Sequence, residues 1–445
     1  MRVLGLLGLI LVLLGSAVGC GGRGAPDTPP GQTGAGQAGE GAPASAGEVA
    51  GETDSSAGAA RETGEPQDRE TLAAFMARFD REAPPDPAPP SPADAGACPG
   101  KGERDRGVGV VISPERPARG QPVRILAATL DGEEPLALRV ELDGTEVAVE
   151  ATHRTGVPAA TVARFAPTTT GKHEVVVGRD GAGLRCVSFV VRDYPYRDES
   201  DPDLSTVWDN RRAWTAAEEA LYSAWVRELF HGPPDQDLAW KALSEVTSDA
   251  DRNVLHNHLG RNEDHASLGM QLVPDCADTP YFLRAYWAYK RGLPFGFRKC
   301  SRGKGKPPTC FDLRTNVDPP DKRPHWIDPA APPPDPAGVP GAEPAEPLPA
   351  NAAVPTHNEE IEYFFRRTVG WGVHTGNGRC SFGDSNSDLY PVALDRRGLR
   401  PGIVYADPYG HILVLAELVA PRGSQPGILF AVDGQPDGSI TRKRS

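Results

Sequence analysis

The chain has 445 residues, is rich in glycine (50) and proline (46), and carries a formal net charge of −13 at pH 7. This acidic balance excludes a protein that binds nucleic acid through a broad basic surface. The length is enough for more than one folded domain. We predict no nucleic-acid partner and no cofactor.

The first 20 residues have the pattern of an export signal. Arg2 gives a short positive start, residues 3–14 are apolar, and small residues follow up to Cys20. The ending Ala-Val-Gly-Cys resembles a bacterial lipobox, in which Cys20 is the acylated first residue of the mature protein. An uncleaved anchor helix is the alternative, because residues 3–19 carry no charge. We expect an exported lipoprotein, attached to the membrane through Cys20 and facing the periplasm or the cell surface.

Residues 21–103 contain few bulky apolar side chains and much Gly, Ala, Pro, Glu and Ser. Such a composition buries too little apolar surface to offset the entropy lost on ordering. We predict a disordered tether, interrupted by a short amphipathic helix through Leu72, Phe75 and Phe79.

Residues 104–193 read as an all-β domain. Seven short β-branched runs are separated by turn signals such as Asp143-Gly144. Seven strands at this spacing predict a β-sandwich. The segment FAPTTTGKHEVVVGRDG (165–181) resembles the penultimate hairpin of bacterial immunoglobulin-like domains. Because no cluster of reactive side chains occurs here, we interpret the domain as a spacer or a binding module.

Residues 194–445 change character and predict an α+β domain. Thr215 and Glu218 form a capping-box pattern before a helix over 215–230, and Thr356 and Glu359 repeat that pattern. A proline-rich stretch at 318–355 reads as an inserted extended loop. The remaining predicted elements are helices within 237–246 and 248–259, a helix following Cys276, and strands at 402–406, 411–419 and 427–433.

Cys276 precedes an apolar, aromatic helix that ends at Gly292. Pro280 lacks an N–H, so the helix is expected to begin between 276 and 280. A cysteine at the positive end of a helix has a lowered pKa. Asp275 and Asp278 oppose that effect, so a reactive thiol at this position needs a basic partner.

The C-terminal strands supply a candidate for that partner. If strands 411–419 and 427–433 pair as a hairpin centred near residue 423, paired residue numbers sum to about 846. His411 and Asp433 sum to 844, so they should lie side by side. A carboxylate beside an imidazole fixes its tautomer and makes it a better base.

A helix led by cysteine, followed by His and a polar residue on adjacent antiparallel strands, resembles the papain-like cysteine peptidase fold. The segment DCADTPYFLRAYWAYKRGLPF (275–295) is similar to the Asp-Cys helix of NlpC-type cell-wall peptidases, and PGIVYADPYGHILVL (401–415) to their Gly-His strand pair. The transglutaminase-like branch, which uses Cys, His and Asp, is the other resemblance. Ala277-Asp278 stands where the NlpC pattern has Ser-Gly, and 135 residues separate Cys276 from His411.

The resemblance implies that Cys276 is the nucleophile, His411 the base and Asp433 the residue that orients the base. It implies thiol-dependent cleavage of an amide bond in a peptide or peptidoglycan substrate. An acyl transferase and a non-catalytic envelope scaffold are the alternatives. Candidate oxyanion donors are the backbone N–H of Cys276 and the side chain of Gln271.

A polar loop at 372–392 contains His374, Arg379 and Cys380. It is predicted either to line the substrate cleft, with His374 and Arg379 as contacts, or to be a long polar turn.

The other cysteines are predicted to serve structure. Cys98 and Cys186 bracket the β-domain, and Cys300 and Cys310 bracket one loop, so we pair them in that way; sequence alone does not decide connectivity. Cys276 and Cys380 are then left, either free or bonded to each other.

The segment HNHLGRNEDH (256–265) contains several potential metal ligands. A His-x-His pair on a helix directs its two rings to different faces, unlike the i, i+4 pairs of zinc helices. We therefore predict that this segment does not bind a metal ion. For the function of the protein, a metal-dependent hydrolase is a further alternative. The residues in question are His256, His258, Glu263, Asp264 and His265.

Overall fold

The computed structural model describes residues 88–200, 205–319, 356–407, 411–421 and 426–444, together with the backbone of one strand, β1 (Ile10–Leu13). The predicted lipidation site Cys20, the tether up to residue 87 and the proline-rich insertion from residue 320 to 355 lie outside the described residues.

The first folded region consists of two four-stranded antiparallel sheets. One has the strand order β2-β3-β7-β6 and the other β5-β4-β8-β9. Their bounds are β2 (Val108–Ser113), β3 (Val123–Thr129), β4 (Ala137–Leu142), β5 (Thr145–Val147), β6 (Glu150–Arg154), β7 (Ala159–Phe165), β8 (Gly171–Arg179) and β9 (Ala182–Val191).

Two boundaries of this region differ from the prediction. The boundary between β5 and β6 was not predicted: seven strands were expected, and the region has eight because the chain passes from the sheet of β5 to the sheet of β6 between them. Residues 88–103 are not tether: a 3-10 turn at Pro92–Ala95 packs on the sandwich, and Cys98 is bonded to Cys186. The disulfide and the buried Ala95 explain why this proline-rich segment is ordered.

The second region begins with helices. Its helices are α1 (Ala216–Phe230), α2 (Leu243–Ser248), α3 (Thr279–Arg291), α4 (His357–Tyr363) with a π-helical continuation (Phe364–Val369) and a last turn (Gly370–Gly372), and α5 (Thr375–Arg379). The Thr356–Glu359 capping box is present in full, with Thr356 N–H donating to Glu359 Oε2 at 2.7 Å. Gly292 ends α3 in the left-handed conformation (φ 61°), as predicted.

A seven-stranded sheet lies against α1 and α3. Its strand order is β10-β17-β16-β15-β14-β1-β13. The bounds are β10 (Leu238–Trp240), β13 (Leu389–Pro391), β14 (Val404–Ala406), β15 (Ile412–Val419), β16 (Ile428–Gly434) and β17 (Ile440–Arg444). A separate hairpin joins β11 (Gly296–Cys300) to β12 (Cys310–Thr315). β17 was not predicted.

Helix α1 joins the two regions. Leu221 on α1 belongs to the same apolar core as Val111 of β2, Leu126 of β3 and Val414 of β15. Gly109 lies so close to α1 that a Cβ atom there would stand 2.5 Å from the Ala217 carbonyl oxygen. The sandwich and the α+β region therefore share one core through α1.

The segment 249–273 is not the helix predicted over 248–259. Buried polar side chains satisfy its backbone instead: Glu263 accepts from the N–H of Leu259 at 2.7 Å, and Asp264 accepts from that of Asn257 at 2.7 Å. Asn253 bonds the indole of Trp225. Such side chains compete with the helical hydrogen bonds of the backbone, which explains the error.

Lys290 of α3 ties this segment to the helix. Its ammonium is fully buried, 2.7 Å from Glu263 Oε1 and 2.5 Å from Asp264 Oδ2. Burying an ammonium is favourable only with such partners.

No helix among the described residues is long and apolar enough to cross a bilayer.

Replacing Lys290 with Met should lower the free energy of unfolding by about 3–5 kcal/mol, because two buried carboxylates lose their counter-charge. Urea denaturation measures this change. Lys299→Met is the matched control: Lys299 lies 3.5 Å from Asp312 with both side chains about 40% exposed, so its loss should cost at most about 1 kcal/mol. Equal losses in both variants would contradict a structural role for the buried pair.

Candidate functional site

Cys276 lies in a turn immediately before α3. Asp275 builds this turn, because its Oδ1 accepts from the N–H groups of Ala277 at 2.8 Å and Asp278 at 3.0 Å. Thr279, the first residue of α3, donates from Oγ1 to the Asp275 carbonyl at 2.6 Å. The helix therefore begins three residues after Cys276, within the predicted interval.

The hairpin of β15 and β16 pairs in the predicted register. Val414 faces Val432 and Leu415 faces Ala431, so both pairs sum to 846, before a bulge shifts the register. His411 Nε2 lies 2.9 Å from Asp433 Oδ1. The two atoms are at ion-pair distance, although Oδ1 accepts no well-aligned hydrogen bond from the part of the chain that the structure describes.

The Cys276 thiol lies beside this pair. The backbone N–H groups of Ile412, which follows His411, and of Ala277 face the sulfur. Burial raises the pKa of the thiol, as do the negative charges of Asp275 and Asp433, and this outweighs the two N–H groups. The expected lowering of the pKa by the helix is therefore absent, and the resting thiol keeps its proton at neutral pH.

Asp433 is completely buried, while the His411 side chain is 40% exposed. The second carboxylate oxygen, Oδ2, accepts from Gln435 Nε2 at 2.6 Å and contacts the ammonium of Lys443. Both oxygens of Asp433 thus have a polar neighbour, which fixes the carboxylate plane.

Gly434, at the end of β16, lies against the turn that holds Cys276. A Cβ atom at this position would stand 2.5 Å from the Asp275 carbonyl oxygen. Real Cβ atoms do not approach that closely, so only glycine allows the strand end and the cysteine turn to meet.

Gln271 does not join the site. Its Nε2 donates to the carbonyl oxygens of Ala266 at 3.4 Å and Gly269 at 3.1 Å. Both amide protons are used in this way, which corrects the prediction that Gln271 offers a donor to an oxyanion. Within the turn, the N–H of Cys276 is the remaining candidate, because those of Ala277 and Asp278 donate to Asp275.

His374 and Arg379 hold the loop that contains them. His374 caps α5, accepting from Gly376 N–H at Nδ1 (2.9 Å), and its Nε2 lies 2.7 Å from the Cys300 carbonyl. Arg379 donates to the Thr375 carbonyl at 3.4 Å. Neither ring nitrogen of His374 is left for a substrate, although the ring is near enough to Asp275 for their charges to interact.

The cysteines pair as predicted. Cys98 is bonded to Cys186 and Cys300 to Cys310, whereas Cys276 and Cys380 are both free thiols.

The acidic residues of the segment 256–265 form ion pairs and hydrogen bonds within the protein. Glu263 and Asp264 bind Lys290 and backbone N–H groups. Within the described ranges, no group of three or more His, Cys, Asp or Glu side chains is arranged to hold a metal ion.

Gln435 and Lys443 were not identified near the site from the sequence, and Asp278 was identified only as a negative charge beside Cys276, not as a buried carboxyl. A signal for the first two existed. Gln435-Pro436-Asp437-Gly438 has Pro at i+1 and Gly at i+3 of a turn, like the segment 407–410, and it predicts the hairpin that brings β17 beside β16.

Asp278 gives a pH-dependent test of the turn. Burial, reinforced by Asp275, raises its pKa to about 8, and its Oδ1 is buried without a hydrogen-bond partner among the described residues. The native state then keeps a proton that the unfolded chain releases above its ordinary pKa near 4. Stability should fall as pH rises from about 4 to about 8, by at most about 1.4 kcal/mol per pH unit from this group.

Asp278→Asn should remove this contribution, so that its stability advantage over the wild type grows between about pH 5 and pH 8. Urea midpoints across this range measure it. The control is Asp312→Asn on exposed β12, where the φ of 48° also suits asparagine. A difference between Asp278→Asn and wild type that is independent of pH would refute the buried, protonated carboxyl.

No family model and no curated protein matches this chain. Among solved structures, the chain is similar to the Lin-41 filamin domain, at 15% identity over 20% of this chain and 95% of that chain, with a TM-score of 0.17. It is also similar to the Pseudomonas fluorescens alkylpurine DNA glycosylase AlkC bound to DNA containing an abasic site analog, at 14% identity over 19% of this chain and 30% of that chain, with a TM-score of 0.15. At these TM-scores neither similarity supports a conclusion about function.

Proposed function

We propose that the α+β region is a thiol-dependent amidohydrolase of papain-like type, acting on a peptide of the cell wall. One observation carries the proposal: the N–H of Ile412 faces the Cys276 sulfur, while the neighbouring His411 reaches the buried Asp433 at 2.9 Å. A nucleophile, a base and an orienting carboxylate thus occupy one site.

The proposed reaction follows from which atoms remain available. His411 directs Nε2 to Asp433, so Nδ1 is the nitrogen that takes the proton of Cys276. The thiolate attacks the amide carbon, and the N–H of Cys276 stabilises the oxyanion. His411 then gives its proton to the leaving amine, and water hydrolyses the thioester.

The base is essential in this proposal because burial and Asp275 raise the pKa of the thiol. A cysteine activated by its helix alone would not need it. The carboxylate of Asp433 stabilises the imidazolium that forms when His411 accepts the proton.

Acyl transfer to an amine is the second candidate. It is favoured by the identity of the third residue, since Cys, His and Asp is the set used by the transglutaminase-like branch. Incorporation of a fluorescent amine into glutamine peptides, without net release of peptide from cell wall, would favour it over hydrolysis.

We also propose that the sandwich is an immunoglobulin-like accessory module. Its strand order, β2-β3-β7-β6 on β5-β4-β8-β9, matches the two sheets of that fold with one added edge strand. Because it shares a core with α1, we expect it to hold the proposed catalytic region in a fixed orientation.

Cys276→Ala should abolish release of peptide from purified cell wall, and His411→Ala should lower kcat/KM by about 10²–10⁴-fold, as loss of a general base does. Cys380→Ala is the control and should retain activity. Iodoacetamide should label Cys276 faster than Cys380, because Cys276 is half-buried and Cys380 buried. Full activity of Cys276→Ala would exclude the thiol-dependent mechanism, and absence of peptide release by the wild type would favour the scaffold.

We further propose that the protein is exported and attached to the membrane by a lipid on Cys20. Cys20→Ser should block incorporation of labelled fatty acid and move the protein from the membrane fraction to the soluble fraction, because acyl chains supply most of the binding energy. Cys98→Ser, which lacks a cysteine but keeps the lipobox, is the control. Membrane retention without label would favour an anchor helix.

A further inference from the structure

Three cysteine side chains meet outside the proposed active site. The disulfide of Cys300 and Cys310 links β11 to β12, and the free thiol of Cys380 packs against it. All three residues are at most 6% exposed. A buried thiol in contact with a disulfide is the arrangement from which thiol–disulfide exchange proceeds.

Hydrogen bonds on both sides of Cys380 hold its loop against the β11–β12 hairpin. The N–H of Cys310 faces the Cys380 sulfur. Asn377 Nδ2 donates to the Arg298 carbonyl at 2.7 Å, and the N–H of Arg298 donates to Asp388 Oδ2 at 2.8 Å. These bonds flank Cys380 in sequence and fix its loop on the β11–β12 hairpin, so exchange of sulfur partners requires only side-chain movement.

We propose that Cys380 exchanges with the Cys300–Cys310 disulfide and thereby links its loop covalently to the hairpin. The Cys380 thiol first loses its proton to solvent. The thiolate attacks the Cys310 sulfur, a Cys380–Cys310 bond forms as the Cys300–Cys310 bond breaks, and Cys300 leaves as a thiolate that takes up a proton. The number of disulfides is unchanged, so no oxidant or reductant is needed.

The exchange alters how the loop that carries His374 is held. In the observed state the loop is attached to the hairpin by packing of Cys380 and by hydrogen bonds, including the one from His374 to the Cys300 carbonyl. His374 interacts electrostatically with Asp275 beside Cys276. A covalent bond from Cys380 to Cys310 fixes this loop on the hairpin, and the proposal holds whether or not Cys276 is catalytic.

The charges around Cys380 determine how the rate depends on pH. Burial raises the pKa of this thiol, Asp384 and Asp388 add to the effect, and Ser387 and the N–H of Cys310 oppose it. From α3, Tyr281, whose hydroxyl donates to Asp388, is close enough for its charged form to interact unfavourably with that of the thiol. Exchange should therefore be slow near neutral pH and accelerate about tenfold per pH unit while the thiol is mostly protonated, because only the thiolate attacks.

Trypsin places the three cysteines on separate peptides: CSR, GKPPTCFDLR and CSFGDSNSDLYPVALDR. The native full-length protein is incubated at about pH 6 or about pH 9, quenched with acid, blocked with N-ethylmaleimide and digested without reduction. We expect the Cys380 peptide to become linked to the Cys310 or Cys300 peptide, with an initial rate at least tenfold higher at the higher pH.

Cys276→Ser keeps all three sulfurs and should give the same linked peptides as the wild type. Cys380→Ser should retain only the Cys300–Cys310 link. The wild-type measurement is decisive even if a variant misfolds. If the Cys380 peptide stays unlinked at both pH values in protein whose native fold is verified by circular dichroism, the exchange does not occur and the proposal is overturned.

Discussion

The arrangement of the α+β region depends on the charges of a helix that has no exposed face. Every residue of α3 is buried, including Arg284, Lys290 and Arg291. Each cation therefore needs an acidic partner. Glu218 and Glu219 of α1 pair with Arg291 and Arg284, while Glu263 and Asp264 pair with Lys290. These pairs determine where α1 and the segment 249–273 lie, because any other placement would leave a charge buried alone. They explain why Glu218, predicted to complete a capping box, is turned toward Arg291 instead.

A fixed α3 in turn determines where the candidate site is. Asp275 closes the turn before the helix, and Gly434 brings the end of β16 against that turn. Asp433, one residue earlier, is thereby placed within reach of His411 across the hairpin. The positions of the thiol and of the histidine–carboxylate pair are thus coupled through backbone contacts. A change at the strand end would move both, even if no reactive side chain were altered.

The sequence predicted those parts of the fold that depend on local signals. The pairing of His411 with Asp433 follows from turn position and strand period, and the Thr356 cap from residue type at fixed spacing. The segment after Ser248 could not be predicted in this way, because its backbone is satisfied by Glu263 and Asp264, and their orientation depends on Lys290. Whether residues 88–103 are structurally ordered likewise depends on a distant residue, because Cys98 is bonded to Cys186, 88 positions away. No local sequence signal indicates that residue 434 must be glycine, because that requirement comes from its contact with Asp275.

Asp275 stabilises the cysteine turn but makes the Cys276 thiol harder to deprotonate. Its carboxylate accepts the two N–H groups that shape the cysteine turn, yet the same charge, together with burial, raises the pKa of the Cys276 thiol. Replacing Asp275 with a neutral residue would favour the thiolate and at the same time remove the acceptor that orders the turn. The residue at position 275 is acidic, and the N–H of Ile412 offsets only part of the resulting rise in the pKa of the thiol. A thiol held in this way becomes nucleophilic only when a base removes its proton, and His411 immediately precedes Ile412, the first residue of β15. If Cys276 acts as the proposed nucleophile, its requirement for a base follows from how the turn is built, independently of any resemblance to a known enzyme.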